Sequence, residues 1–190
     1  MVSWKILAWP LALLLVLWVL TRPSEIATEA LEGVIADRAN GERIFHAAGC
    51  ASCHGDDLAG GLEMESDFGT FHVPNITPHP DAGIGAWTAL DLANAMLRGT
   101  SPEGLHYYPA FPYASYTRMN VQDVVDLKAW LDGFEAVATD IPDHELGFPW
   151  NIRRGLGLWK RRYLDEAPVI PADPEDILIE RGRYLVEGPG

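Results

Sequence analysis

Only two of the 190 residues are cysteine, Cys50 and Cys53. Without a third or fourth thiol, a Cys₄ zinc or iron–sulfur site is excluded. Positive charge is scarce as well: 14 Lys and Arg stand against 27 Asp and Glu, a formal net charge of -13. Phosphate backbones repel such a chain, which excludes nucleic acid and suits a basic partner surface. Stretches of alternating apolar and polar residues are missing, so no strand pair is expected. Long apolar runs are missing with one exception, Trp4 to Leu20. Hydrophobic residues at 48% and charged residues at 22% nevertheless describe a globular chain rather than a disordered one.

The two cysteines fall in Cys50-Ala51-Ser52-Cys53-His54, a C-x-x-C-H run, which is the attachment signature for c-type haem. Thiols three positions apart lie along one helical turn and can add to the two vinyl groups of one porphyrin. His54 then supplies the proximal imidazole nitrogen. The competing readings are a redox-active C-x-x-C, a zinc half-site and a structural disulfide. A thioredoxin-like motif should follow a strand within a βαβ pattern. Here the run follows a short amphipathic helix and precedes a Gly- and Asp-rich loop. The sequence therefore predicts one covalently attached haem c.

The expected organisation has five parts. Residues 1–22 are a membrane anchor or signal segment, and 23–36 a tether. Residues 37–140 are the haem domain, 141–175 a basic connector, and 176–190 the start of a second, truncated domain. At about 1.5 Å per residue, Trp4 to Leu20 covers most of a hydrocarbon core about 30 Å thick. Only Lys5 and Pro10 interrupt it, and no A-x-A-like site follows, so an uncleaved transmembrane helix is the preferred reading. Trp4, Trp9 and Trp18 suit interfacial positions, and Lys5 is the only charge before the span.

Within the domain, Ile44, Phe45 and Ala48 predict a helix over 38–48 that Gly49 ends. Asp56 to Asp81 reads as a long loop. Thr88 with Asp91 forms a capping-box pattern for a helix to about Arg98, stopped by Gly99. Asn120 and Asp123 open a last helix, whose Val121, Val124, Val125, Leu127, Trp130 and Leu131 keep helical spacing to Gly133. The expected fold class is all-α: three or four helices with long loops around one haem.

Charge divides the chain. From Glu25 to Glu145 there are 20 acidic and five basic residues, whereas Trp150 to Tyr163 holds five basic residues and no acidic one. Ile152, Leu156, Trp159 and Tyr163 can form an apolar stripe there. This segment either docks on the acidic haem domain or lies on an anionic membrane surface; docking is preferred. Gly182 to Gly190 echoes Gly41 to Gly49, the stretch before Cys50. That similarity predicts a longer dihaem protein continuing beyond Gly190.

In this order, Cys50 to His54, Asn75-Ile76-Thr77-Pro78, Gly83-Ile84-Gly85-Ala86-Trp87 and Tyr108-Pro109-Ala110-Phe111-Pro112-Tyr113 resemble one cytochrome c group. That group comprises the multi-haem cytochrome subunits of membrane-bound bacterial alcohol, aldehyde and gluconate dehydrogenases, with related membrane-anchored dihaem cytochromes. The resemblance runs from about Ala39 to the end. It implies the cytochrome c fold, a place at the bacterial inner membrane with the haem domain facing the periplasm, and an electron carrier rather than an enzyme. Electrons would pass from a periplasmic dehydrogenase or quinol source to a terminal oxidase or another cytochrome.

Met119, closing the Pro- and Tyr-rich loop, is the expected sixth iron ligand, a position that agrees with that group. Met64 reads as loop packing and Met96 as core. Bis-histidine ligation through His72, His79 or His106 is the competing arrangement. An open sixth position would instead allow peroxide or gas chemistry. Trp87, Tyr107, Tyr108, Phe111, Tyr113 and Tyr116 are candidate walls for the porphyrin. Arg98 and Arg118 read as solvated arginines rather than propionate partners.

Overall fold

Three helices form the frame because each carries apolar side chains on one face. The computed structural model describes residues 4–169, 171 and 175–190, the side chains of 4–8 excepted. The expectations for Trp4 and Lys5 therefore lie outside the described side chains. α1 spans Trp4–Leu20 and α2 spans Arg38–Ala47, the latter opened by the Asp37 carboxylate, which accepts from the Ala39 and Asn40 N–H groups. α3 is the short Cys50–His54 turn. α4, Ala89–Arg98, begins with the Thr88/Asp91 capping box and ends at Gly99, which is left-handed, as its sequence predicts. α5 covers Tyr113–Tyr116 and α6 covers Val121–Leu131. Ile44 and Phe45 of α2, Leu92 and Met96 of α4, and Val124, Leu127 and Leu131 of α6 meet in one core.

α2 crosses α6 at Gly41, where a Cβ would stand 2.0 Å from the Asp126 carbonyl oxygen. Backbone cannot yield there as a flexible side chain would. Gly41→Ala should therefore force the two helices apart, at about 1–3 kcal/mol of stability, read as a lower midpoint in denaturant titration.

The all-α expectation is overturned by a small antiparallel sheet. β1, Glu63–Ser66, pairs with β2, Gly69–His72, and β2 pairs with β3, Glu145–Leu146. Strands this short and polar carry no readable period. β1 and β2 form a local hairpin, and what adds β3 to it is tertiary pairing over more than 70 residues of sequence. Gly69, at φ +127°, permits it, because a Cβ there would come within 2.0 Å of the Glu145 carbonyl oxygen.

The expected N-terminal transmembrane helix is corrected as well. Among the described residues no helix is long and apolar enough to cross a membrane. The described part of α1 has 17 residues, about 26 Å at 1.5 Å each against a core of about 30 Å. Polar groups stop it at Leu20. The Thr21 hydroxyl donates to the Leu17 carbonyl at 2.6 Å. Arg154 donates to the Trp18 carbonyl at 2.7 Å, and Arg161 to that of Leu20 at 2.6 Å.

Those arginines belong to the basic segment, folded as a 3₁₀ turn at Arg153–Gly155 and α7 at Leu156–Tyr163. The segment packs on the acidic domain. Lys160, 7% exposed, donates to the carbonyls of Arg98 and Gly99 at 2.7 and 2.6 Å, closing the end of α4 where a cation is favoured. Burial holds its ammonium down to about 8, against an ordinary 10.5. Between those values the unfolded chain binds a proton that the folded chain does not. This group's contribution to stability therefore rises with pH across that window. Lys160→Met should abolish the rise, as denaturant titrations across the window would show.

α8, Ile177–Glu187, docks on the start of α6 through Tyr184. The Tyr184 hydroxyl donates to Asp123 and accepts from the Asn120 N–H. Gly182 meets nothing within 4 Å, so it does not repeat the close-packing task of Gly41.

Candidate functional site

The turn after α2 sets the site. Gly49, at φ 65°, reverses the chain so that α3 starts a new direction, with Cys50 and Cys53 one turn apart and His54 at its end. Both thiols are free; Cys50 is half-buried and Cys53 exposed. Burial, reinforced by Cys53, pushes the Cys50 thiol up to about 11. Burial also lowers His54 below the ordinary histidine value, so its imidazole is neutral near pH 7. Its Nδ1–H donates to the Pro74 carbonyl at 2.8 Å. A neutral imidazole protonated at Nδ1 presents its lone pair at Nε2, the form a metal-ligating histidine needs.

Cys50, Cys53 and His54 stand on one wall of a cavity of about 370 Å³. Val73 to Ile76, Ile84 and Trp87 continue that lining, and Leu92 and Met96 of α4 add to it. The loop before α6 contributes Tyr107, Tyr108, Phe111 and Tyr116. Five of the six aromatic candidates therefore reach the cavity. Tyr113 does not: it is fully buried against Gly99, with the Lys160 ammonium 4.8 Å from its ring centroid.

Met119 is not among the described lining residues; it is 6% exposed, in the core cluster with Tyr116 and Leu127. The methionines among the described lining residues are Met64 and Met96. Of the histidine candidates only His72 lines the cavity. His79 accepts the Asp81 and Ala82 N–H groups, and His106 donates to the Thr21 carbonyl at 2.8 Å. Arg98 pairs with Glu166, and Arg118 with Glu187.

Sequence reasoning missed the far side of the cavity. Ile141, Pro142, Asp143, His144 and Arg153 all line it, from the stretch read as a connector. The fold brings them there through the Asn75-Ile76-Thr77 run. The Asn75 side-chain amide donates to the Val137 carbonyl at 2.7 Å, and the Val137 N–H donates to the Thr77 hydroxyl at 3.2 Å. β3 then ties the following residues to β2. No local pattern around His144 or Arg153 signals this, because the contact is made across some 70 residues of chain.

A porphyrin suits this donor set: two unpaired thiols one turn apart, an oriented neutral imidazole beside them, and a largely apolar cavity. Residues 38–134, just over half of the chain, match the cytochrome c family. The chain belongs to that family. Its cofactor is covalently bound haem c. A diheme cytochrome c-type protein of Cereibacter sphaeroides is 48% identical over 185 residues, which is 92% of this chain and 61% of that protein. The cytochrome c subunit of a quinone-linked alcohol dehydrogenase from Gluconobacter oxydans is 32% identical over 188 residues, covering 96% of this chain and 39% of the subunit. The gluconate 2-dehydrogenase cytochrome c subunit of Pantoea cypripedii is 34% identical over 177 residues, 87% of this chain and 40% of its own length. The resemblance read from the motifs thus holds, and the chain spans 39–61% of the length of these three relatives.

Proposed function

We propose that this cytochrome is a one-electron carrier in which Cys50 and Cys53 form the thioether links to haem c and His54 is the proximal ligand. The observation that carries the reading is the His54–Pro74 hydrogen bond, which orients a neutral imidazole at the wall where both thiols stand. Bound there, haem c supplies the ferric/ferrous couple. The chain's own part is to hold the group, keep it dry and limit reorganisation. Trp87, Tyr107, Tyr108, Phe111 and Tyr116 exclude water from the cavity with stiff, bulky side chains.

His/Met ligation is the arrangement that suits a carrier of fairly high potential. Met119, closing the Pro- and Tyr-rich loop, is the thioether donor the motifs point to, and Met64 and Met96 on the lining are the competing methionines. Single replacement of each methionine tests this: one variant should lose the Met–Fe charge-transfer band while the other two keep it. High-spin iron in the parental protein would point instead to an open position and an enzyme.

The relatives named as cytochrome subunits of alcohol and gluconate dehydrogenases support a dehydrogenase catalytic subunit as electron donor. The excess of carboxylates between Glu25 and Glu145 supports docking on a basic partner surface. Haem c attachment supports a periplasmic location. Cell fractionation tests the location, and the salt dependence of reduction by a candidate dehydrogenase tests the docking.

A further inference from the structure

Among the described lining residues, outside the groups already used, one buried side-chain polar atom has no hydrogen-bond partner. His72 is 7% exposed and lines the cavity, and its Nε2 has no hydrogen-bond partner. Leaving such an atom unmatched is unfavourable, so it points to a ligand group. Two further donors line the same cavity from the segment beyond residue 134. His144 accepts the His72 backbone N–H at its Nδ1, 3.2 Å away, which leaves Nε2 as its N–H. Arg153 is the only lysine or arginine among the described lining residues. Its guanidinium lies 5.1 Å from the Tyr108 ring centroid and is in no ion pair among the described residues.

We propose that His72, His144 and Arg153 form a carboxylate-binding pocket for a haem propionate, closed by the 141–153 segment. This rests on the reading of the cavity as the haem site. A porphyrin of this type offers polar contacts only at its iron and its propionate carboxylates. His72 lies two residues before Pro74, in the extended run whose carbonyl grips His54. At about 3.3 Å per residue of extended chain, His72 stands near the wall that holds His54, the residue proposed to ligate the iron. The carboxylate at the porphyrin edge is the group left for it. Arg153 supplies the charge and the planar donor fork that carboxylates favour. Glu63, 3.9 Å from His72 Nδ1, and Asp143 on the lining are the acidic groups facing the pocket. They leave Arg153 as the cation that offsets a buried carboxylate.

The test uses the full chain matured in a host that attaches haem c. Pyridine haemochrome first establishes loading; an unloaded parental protein would sink the haem reading itself. In loaded protein, Arg153→Gln should keep low-spin iron yet lower the midpoint potential, because an uncompensated carboxylate favours the ferric state. Arg153→Lys should restore the potential. His72→Gln should shift the propionate bands of the redox-difference infrared spectrum. Loaded Arg153→Gln and His72→Gln proteins with parental potential and bands would overturn the proposal. A high-spin His72→Gln protein would do so too, by making His72 an iron ligand. Should Arg153→Gln fail to load, the infrared comparison of His72→Gln with the parent decides alone.

Discussion

A Cys50→Ser/Cys53→Ser double variant is expected to carry no covalently bound haem, and the loss should be complete rather than graded. Serine hydroxyls do not add to porphyrin vinyl groups under conditions where thiols do. The wall that holds the cysteines is otherwise undisturbed, since both are free and only Cys50 is substantially buried. The consequence for the fold is also large. The cavity of about 370 Å³ is lined by side chains from α3, α4 and α6 and by both loops that cross between them. Without the group that fills it, those side chains lose their packing partners. Pyridine haemochrome on denatured protein reads the covalent loss. Thermal unfolding should show a clearly lower midpoint for the double variant than for matured parent. Covalent haem in the double variant would refute the assignment of Cys50 and Cys53.

The second large effect lies away from the cavity, at Asp126. Its carboxylate is 1% exposed and accepts from three donors: the Asp37 N–H at 2.7 Å, the Asn40 amide at 2.8 Å and the Gln122 amide at 2.7 Å. It thereby joins the start of α2 to the middle of α6, the most extensive helix pair in the structure. Asp126→Ala removes the acceptor on which the three donors converge, leaving the Asn40 and Gln122 amides only their second acceptors, Asp123 and the Ile35 carbonyl. Each bond lost to a charged acceptor is worth about 1.5–3 kcal/mol. The expected total is on the order of 3–5 kcal/mol, a large fraction of a domain's stability. Asp126→Asn, which keeps an acceptor oxygen, should cost less. Urea titration of both variants checks the order; an Asp126→Ala protein as stable as Asp126→Asn would contradict it.

The site proved partly legible in the sequence because part of it is local. The thiol spacing and the adjacent histidine all fall within five residues, so a single helical turn assembles them whatever the rest of the chain does. The same holds for the helices: Thr88 and Asp91 cap α4 in the manner their spacing predicts, and Val124, Leu127 and Leu131 face the core. The Pro- and Tyr-rich loop is intermediate. Its aromatic content indicates a wall, but Tyr113 turns under Lys160 while Phe111 and Tyr116 turn to the cavity, and no spacing rule separates them.

What escaped sequence reasoning is non-local. The third strand joins the β1–β2 hairpin because Gly69 lets Glu145 approach, and neither residue is informative alone. His144 and Arg153 become part of the cavity only because Asn75 and Thr77 hold Val137 and β3 pairs with β2. The end of α1 depends on Arg154 and Arg161, more than 130 residues away in sequence.

By itself the amino-acid order determined a covalent haem chemistry, three framework helices and an acidic character, because each of these follows from residues near one another along the chain. The tertiary structure decided which side chains wall the cavity, where the apolar helix stops and that a third strand joins the hairpin. Those outcomes are set by contacts between segments dozens of residues apart, whose energy exists only once the chain has closed on itself.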